Sequence, residues 1–276
     1  MAYVDIIYEK ENGVAWLTIN RPQVYNALRA RTGTEMADAL ADAGEDDSVR
    51  AVVISGARPN AFCSGQDQSF DNPDPKDEVG HTVSDRSFGG PEGAYSWYVR
   101  NIPQPVIAMV DGYAIGAGNI LAYNCDFTIA SERSIFGQAG PRVGSPAAGH
   151  QVAYLASLVG QKRAREIWML CRQYSAREAL QMGLVNAVVP ADKLVDEVKR
   201  WCEDIKRMSP VILQMQKIGF NEYGDHVKPE LGPFQRYFKG SYSESEESVE
   251  RRRAFVERRP MDQSKNLPYV KIPRGQ

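Results

Sequence analysis

Short apolar runs alternate with stretches in which apolar residues recur every three or four positions, so the chain reads as strands interleaved with helices. Ile6-Ile7-Tyr8 and residues 14–19 flank Glu11-Asn12-Gly13, which predicts an opening β-hairpin that Asn20-Arg21-Pro22 stops. From residue 34 to 46, Met36, Ala39, Leu40 and Ala43 fall at helical spacing, with Thr34 placed to cap. Residues 51–55 form a continuous apolar run read as a buried strand, and residues 60–67 a small-residue corner. Residues 69–93 are rich in Asp, Pro, Gly and Ser and have no periodicity; a loop that long is a functional lid or disordered. A short helix is predicted over 95–101 and a strand over 106–110. Residues 108–118, AMVDGYAIGAG, then run through a strand and a tight turn into a glycine-rich helix start that continues to about residue 124. The first N–H groups of a helix lack internal partners and carry partial positive charge. That corner is therefore either a close-packed turn or a cradle for an oxyanion or phosphate.

Further on, strands are predicted at 127–130, 135–137 and 183–190, and helices at 150–159, 163–170 and 176–182. From residue 192 the pattern is helical, over 194–208, 210–220 and 230–255, and residues 261–276 read as an extended arm. Alternating β and α units followed by helices predict an α/β core over residues 1–200 and a helical region over 201–276.

Composition narrows the function classes. The chain has 276 residues, 43% hydrophobic and 25% charged, with a net charge of -2. With a pI near 6.0 there is no overall basic field to attract nucleic acid. No window approaches the ~18–20 apolar residues of a membrane span, and the first residues lack a signal-peptide pattern. A cytoplasmic protein is expected. Cys63, Cys125, Cys171 and Cys202 are widely spaced, without CxxC pairs or nearby His, so reduced buried thiols are expected, and no metal site. The C-terminal arginines, Arg251-Arg252-Arg253 and Arg258-Arg259, are interleaved with acids. They make either a solvated face or a subunit or anion contact.

Several segments in this order resemble the crotonase (enoyl-CoA hydratase/isomerase) superfamily: Ile19-Asn20-Arg21-Pro22 with Asn26-Ala27-Leu28, residues 61–67 (AFCSGQD), residues 105–118, Cys125-Asp126 and Phe136-Gly137-Gln138. The resemblance implies a spiral of ββα units, a C-terminal helical trimerisation region, assembly as a homotrimer or a hexamer (dimer of trimers), and a coenzyme A thioester ligand. It places the oxyanion-hole donors on the backbone N–H groups of Gln66 and Ala117, where charge builds on a thioester carbonyl that becomes an enolate. It also implies that Ala27, Arg29, Ser64 and Gln66 contact coenzyme A, with Arg258 reaching the site from an adjacent subunit. No tightly bound cofactor is implied, coenzyme A being part of the substrate. Residues 137–145, 160–168 and Cys171-Arg172-Gln173-Tyr174 resemble most the branches that contain 1,4-dihydroxy-2-naphthoyl-CoA synthase and 2-ketocyclohexanecarboxyl-CoA hydrolase. One closes a ring by an intramolecular Claisen reaction and the other opens a ring by hydrolysis; both pass through a thioester enolate.

The departures from these relatives matter as much. The two Glu of the hydratases correspond to Ile120 and Gly140, which move no proton, so hydration by that pair is not expected. The dehalogenase nucleophile would fall near Ala147-Ala148, and the Asp that both nearest branches place two residues after Ser145 is Ala147 here. Their C-terminal Tyr corresponds to Ser243; Tyr242 lies one residue earlier, a rotation of about 100° on a helix. Gln138 and Trp168 match residues that hold a bicarbonate base in one naphthoate-synthase branch, or they simply pack. His150 would lie beside the acyl pocket as a base, or cap a helix, while His81 is expected to be exposed. Tyr95 and Tyr98 line the pocket or pack into the core. An acyl-CoA enzyme that cleaves or forms a C–C bond is expected, against an inert crotonase-fold protein kept for binding coenzyme A.

Overall fold

The computed structural model describes residues 3–57, 60–68, 94–145, 150–226, 242 and 245–268. Strands β1 (Ile6–Glu11) and β2 (Val14–Ile19) pair antiparallel, with Glu11 opposite Val14. Asn12 and Gly13 between them both take positive φ, the geometry of a two-residue type I′ hairpin turn. Helix α1 (Ala30–Glu45) begins four residues before the predicted cap. Arg29 holds the N-cap position and donates its N–H to the Thr32 hydroxyl, while Thr34, one turn into the helix, donates back to Ala30 O. Met36, Leu40 and Ala43 line its buried face at helical spacing.

The chain continues through β3 (Ala51–Gly56), β4 (Ala61–Cys63), α2 (Ala94–Asn101), β5 (Val106–Val110), β6 (Tyr113–Ile115), α3 (Ala117–Asn124), β7 (Phe127–Ser131), β8 (Ile135–Gly137) and α4 (Gly140–Val143). After it come α5 (His150–Val159), α6 (Gln161–Leu170), β9 (Gln173–Ser175), α7 (Ala176–Gln181), β10 (Ala187–Val189), α8 (Leu194–Lys206), α9 (Pro210–His226) and α10 (Glu246–Val256). Among the described residues these strands make a large sheet, β1-β2-β3-β5-β7-β10, and a small one, β4-β6-β8-β9. Each passage from β3 to β4, β5 to β6 and β7 to β8 lays one strand in each sheet, which winds the chain into the expected spiral.

Alternation along the buried strands sorts side chains to the two faces of the large sheet. Val52, Ile54, Ala108 and Val110 join Leu17, Met36 and Leu40 in the main core. Ala51, Val53 and Ile107 face the other way and are covered by Leu194, Val198, Cys202 and Ile205 of α8. Those four α8 residues recur at i, i+4, i+8 and i+11, and each large aliphatic side chain so buried contributes about 1.5–3 kcal/mol.

Elsewhere the structure revises the reading. Strands β4, β6 and β9, each three residues long, give no usable periodicity and were predicted as corners and connections. The strand predicted over 183–190 shrinks to Ala187–Val189. Gly183 (φ 78) and Leu184 instead close α7, their N–H groups reaching Leu180 O and Ala179 O in a Schellman turn. Helix α9 runs to His226, past the predicted end at 220. It is fixed to the core by Lys217, which is 7% exposed and pairs with Asp126 at 2.7 Å while donating to Val99 O and Gln104 O. Of the helix predicted over 230–255, Glu246–Val256 is seen; residues 227–241 lie outside the described residues. So does the loop predicted over 69–93, with His81, as do Ala147, Ala148 and Ser243. Within the described part of the tail predicted as an extended arm, Gln263–Lys265 form a short turn of helix. All four cysteines are buried and free of disulfides. No described helix is long and apolar enough to cross a membrane.

Candidate active site

A cleft of about 570 Å³ opens where the ends of the small-sheet strands meet α3, α4 and the C-terminal helix α10. One wall is backbone. Leu28 and Gln66 form an isolated parallel bridge: Leu28 N–H donates to Gly65 O, and Asp67 N–H donates to Leu28 O, both at 2.8 Å. Peptide groups alternate along an extended strand. The N–H of Gln66, between those two bonds, therefore faces away from Leu28, on the side where Gln66 lines the cleft. The second donor comes from α3. Its first residue, Ala117, also lines the cleft, at the position where a helix has no earlier turn to accept its N–H.

Glycines permit this approach. Gly65 (φ 108) and Gly116 (φ 58) hold left-handed conformations, and a Cβ on Gly65 would sit 3.1 Å from Ile115 O. Gly118 is stricter still, since a Cβ there would meet Cys63 O at 2.0 Å. Cys63 underlies this corner as packing; burial pushes its thiol up to about 12, so it is no nucleophile at neutral pH.

The opposite wall is made of side chains from Gln138–Ser145 and α6. Gln138 and Trp168 both line the cleft at 2% and 6% exposure. Their side-chain donors, Gln138 Nε2 and Trp168 Nε1, are buried without a hydrogen-bond partner. A buried N–H left unmade costs about 1–3 kcal/mol, so these two donors are places where an acceptor would be stabilised. Ile120 and Gly140 face the same space, so neither position carries a carboxylate. Ser145 and, across the cleft, Ala27 and Ser64 are also in the lining, with Ser64 Oγ donating to Val24 O at 3.3 Å.

Phe255, Val256 and Arg258 complete the cleft from the same chain, whereas an adjacent subunit was expected to supply Arg258. Ser248 of α10 donates to Gly144 O at 2.9 Å and Arg251 to Pro141 O at 3.3 Å, which docks the helix on α4 beside the cleft.

Three expected residues lie outside this lining. Arg29 grips Asp5 with Nε and Nη2, at 2.7 and 2.8 Å, instead of facing the cleft. Asp5 is pushed up by burial, but hydrogen bonds from Arg29 and Thr32 and the Arg29 and Arg21 charges outweigh that and hold it below 3.8. His150 starts α5 with Nε2 3.1 Å from Arg100 Nη1 and 3.7 Å from Asp225, its ring stacked on Tyr154. Tyr242 is half-buried beside Glu247 and Arg251, and burial with the Glu247 charge raises its hydroxyl. Tyr95 and Tyr98 pack on the core. Conversely, the sequence reading gave no role to Val24, Tyr25, Val143, Phe255 or Val256, all in the lining. Nor did it single out the buried pair of Arg21 and Asp67, although both sit inside quoted motifs.

A backbone cradle set on a spiral of ββα units is the crotonase fold. Residues 9–266 match the family model described as enoyl-CoA hydratase/isomerase, and the chain belongs to that family. It is similar to a solved enoyl-CoA hydratase from Mycobacterium avium subsp. paratuberculosis K-10, at 29% identity and a TM-score of 0.80, over 95% of this chain and 99% of that one. An enoyl-CoA hydratase/isomerase from Pseudoalteromonas atlantica T6c matches at 27% identity and TM-score 0.79, over 94% and 99%. A methylmalonyl CoA decarboxylase shares the fold at 22% identity and TM-score 0.82, over 95% and 98%.

Proposed function

We propose that this enzyme binds an acyl-CoA and works through a thioester enolate held by the N–H groups of Gln66 and Ala117. The observation that carries the reading is the pairing of that backbone cradle with Ile120 and Gly140 where water addition would require carboxylates. The reaction we favour is hydrolytic ring opening of an alicyclic β-ketoacyl-CoA. Water adds to the ring ketone and loses a proton. The bond between that carbon and the α carbon breaks, and its electron pair passes into the thioester enolate. The α carbon then takes a proton, leaving an open-chain acyl-CoA that ends in a carboxylate. Coenzyme A enters beside Ala27, Ser64 and Arg258, whose guanidinium suits a phosphate. The orphaned donors of Gln138 and Trp168 would hold a bicarbonate, which supplies a base when bound.

Closure of a ring in the synthase direction, giving 1,4-dihydroxy-2-naphthoyl-CoA, is the second reading; the same Gln138 and Trp168 wall supports it. His150 remains a proposed base only for a substrate that extends to Arg100. A trimer, or a hexamer built from trimers, is proposed as the assembly. Val211, Ile212, Met215, Ile218, Phe220 and Tyr223 of α9 are all more than half exposed, and clustered apolar exposure of this kind supports a contact there.

A mass-spectrometric panel tests the reaction, offering 2-ketocyclohexanecarboxyl-CoA and its ring homologues against o-succinylbenzoyl-CoA, with and without bicarbonate. Gain of one water by a cyclic substrate is expected. Loss of water from o-succinylbenzoyl-CoA would favour the synthase instead. No turnover, and no solvent deuterium entering acetoacetyl-CoA, would leave a coenzyme A binding protein.

A further inference from the structure

We infer that Arg21, outside the cleft lining, is the positioning residue that aims the Gln66 donor; this rests on the oxyanion reading proposed above. Arg21 is 3% exposed. Its Nη2 donates to the Asp67 carboxylate at 2.9 Å, its Nη1 donates to Ala27 O, and its Nε lies 3.8 Å from Asp5. One guanidinium therefore ties together the two segments that meet at the Leu28–Gln66 bridge. On one side it holds the carbonyl next to Leu28, and on the other the side chain next to Gln66.

Its own backbone is equally fixed. The Arg21 N–H donates to Asn26 Oδ1 at 3.0 Å, and its carbonyl accepts from Val24 and Asn26 at 3.1 and 2.9 Å. Asn26 in turn donates its amide to Ala57 O and Ala61 O, at 3.1 and 2.7 Å. Tyr25 and Asn26 are kept at φ 53 and 56, unusual for residues with side chains and maintained only where the surroundings over-determine them. Ser64 N–H donates to Tyr25 O at 3.1 Å, so this strained turn also grips the segment that carries Gln66.

A buried ion pair adds little net stability, but it fixes geometry, since a guanidinium fork holds two acceptors at set angles. It has an electrostatic task too. Asp67 lines the cleft, and its carboxylate would repel an enolate forming beside it. The Arg21 charge at 2.9 Å neutralises it. Lysine in place of Arg21 keeps the charge, yet a single ammonium cannot bridge Ala27 O and Asp67 in the same geometry.

The test compares affinities for 2-nitronate-propionyl-CoA, an enolate mimic, and propionyl-CoA by calorimetry. It uses the wild-type protein, Arg21→Lys and the double variant Arg21→Met/Asp67→Asn, with circular dichroism as the check on folding. The double variant removes both charges together and so leaves neither of that pair buried alone. Wild type is expected to prefer the nitronate. Each folded variant is expected to lose about 10- to 100-fold of that preference, its affinity for the nitronate falling by that much more than its affinity for propionyl-CoA. A residue with a merely structural role would lower both affinities together or neither. Variants that keep the wild-type preference would overturn the role given to Arg21 while leaving the oxyanion reading intact. A wild-type protein with no preference would sink the oxyanion reading, and this inference with it.

Discussion

The two walls of the cleft are built on opposite principles. On the Gln66 and Ala117 side the proposed chemistry falls to peptide groups, and the hydrogen bonds around them are made: Leu28 to Gly65, Asp67 to Leu28, Arg21 to Asp67. On the Gln138 and Trp168 side the groups given a role are side chains, with donors buried and left without partners. A donor meant for a charge that exists only fleetingly must be aimed in advance, because reorganising it during reaction would cost much of its effect. Side-chain donors left open suit a small ligand that comes and goes. The difference is one of preparation: the first wall is pinned by hydrogen bonds already made, while the second keeps two buried donors without partners.

That contrast can be broken in graded steps. Ala117→Pro deletes one backbone donor at a first helical position, where proline is tolerated. Turnover is expected to fall about 100- to 1000-fold, some 3–4 kcal/mol of transition-state stabilisation, with the unfolding midpoint little changed. Full activity in a folded Ala117→Pro protein would refute the donor role. Gly118→Ala attacks the same wall sterically: its Cβ would meet Cys63 O at 2.0 Å. A loss of about 3 kcal/mol in denaturant unfolding is expected, accompanied by loss of activity.

Asp5→Asn probes the charged layer behind the first wall. The folded carboxyl lies below its ordinary 3.8, so its contribution is present above the unfolded value. It is lost as pH falls through the folded one. The variant is expected to be less stable at neutral pH by roughly 1–3 kcal/mol, the difference shrinking in acid. Unfolding curves measured between neutral and strongly acidic pH would show a constant gap if Asp5 were not ionised there.

Gln138→Met tests the second wall with the smallest effect on the fold. It replaces an unpartnered buried amide with an apolar side chain of similar shape. Stability without bicarbonate is expected to hold or rise by roughly 1 kcal/mol. Any stabilisation that added bicarbonate gives the wild-type protein should disappear. A marked loss of stability in bicarbonate-free buffer would show that the amide has a structural partner instead.

Much of the fold could be read from the chain. The Asn12-Gly13 turn, the apolar run of β3 and the α1 and α8 periodicities each follow from local rules, and each reappears in the structure. Of the small sheet only β8 could be read. Its three-residue strands exist because neighbours elsewhere in the chain supply their hydrogen bonds, as Ile135 to Gly137 does for Tyr113 to Ile115. In the cleft, the glycine corner was legible because glycine is demanded by local backbone geometry. The pairing of Arg29 with Asp5 was not legible for the converse reason: a long charged side chain takes whatever partner the fold offers, here one 24 positions away. Placing His150 against Arg100 and Asp225 likewise required knowing which helices meet.

The sequence alone therefore determined the alternation of strands and helices and the glycine corner at residues 112–118. These are statements about residue types and their neighbours within a few positions. Only the tertiary structure decided that Gln66 and Ala117 share one cleft, that Arg258 reaches it from the same chain, and that Arg21 grips Asp67 across 46 positions. Those facts depend on contacts between distant segments, whose geometry is fixed by close packing and by the need to pair every buried charge.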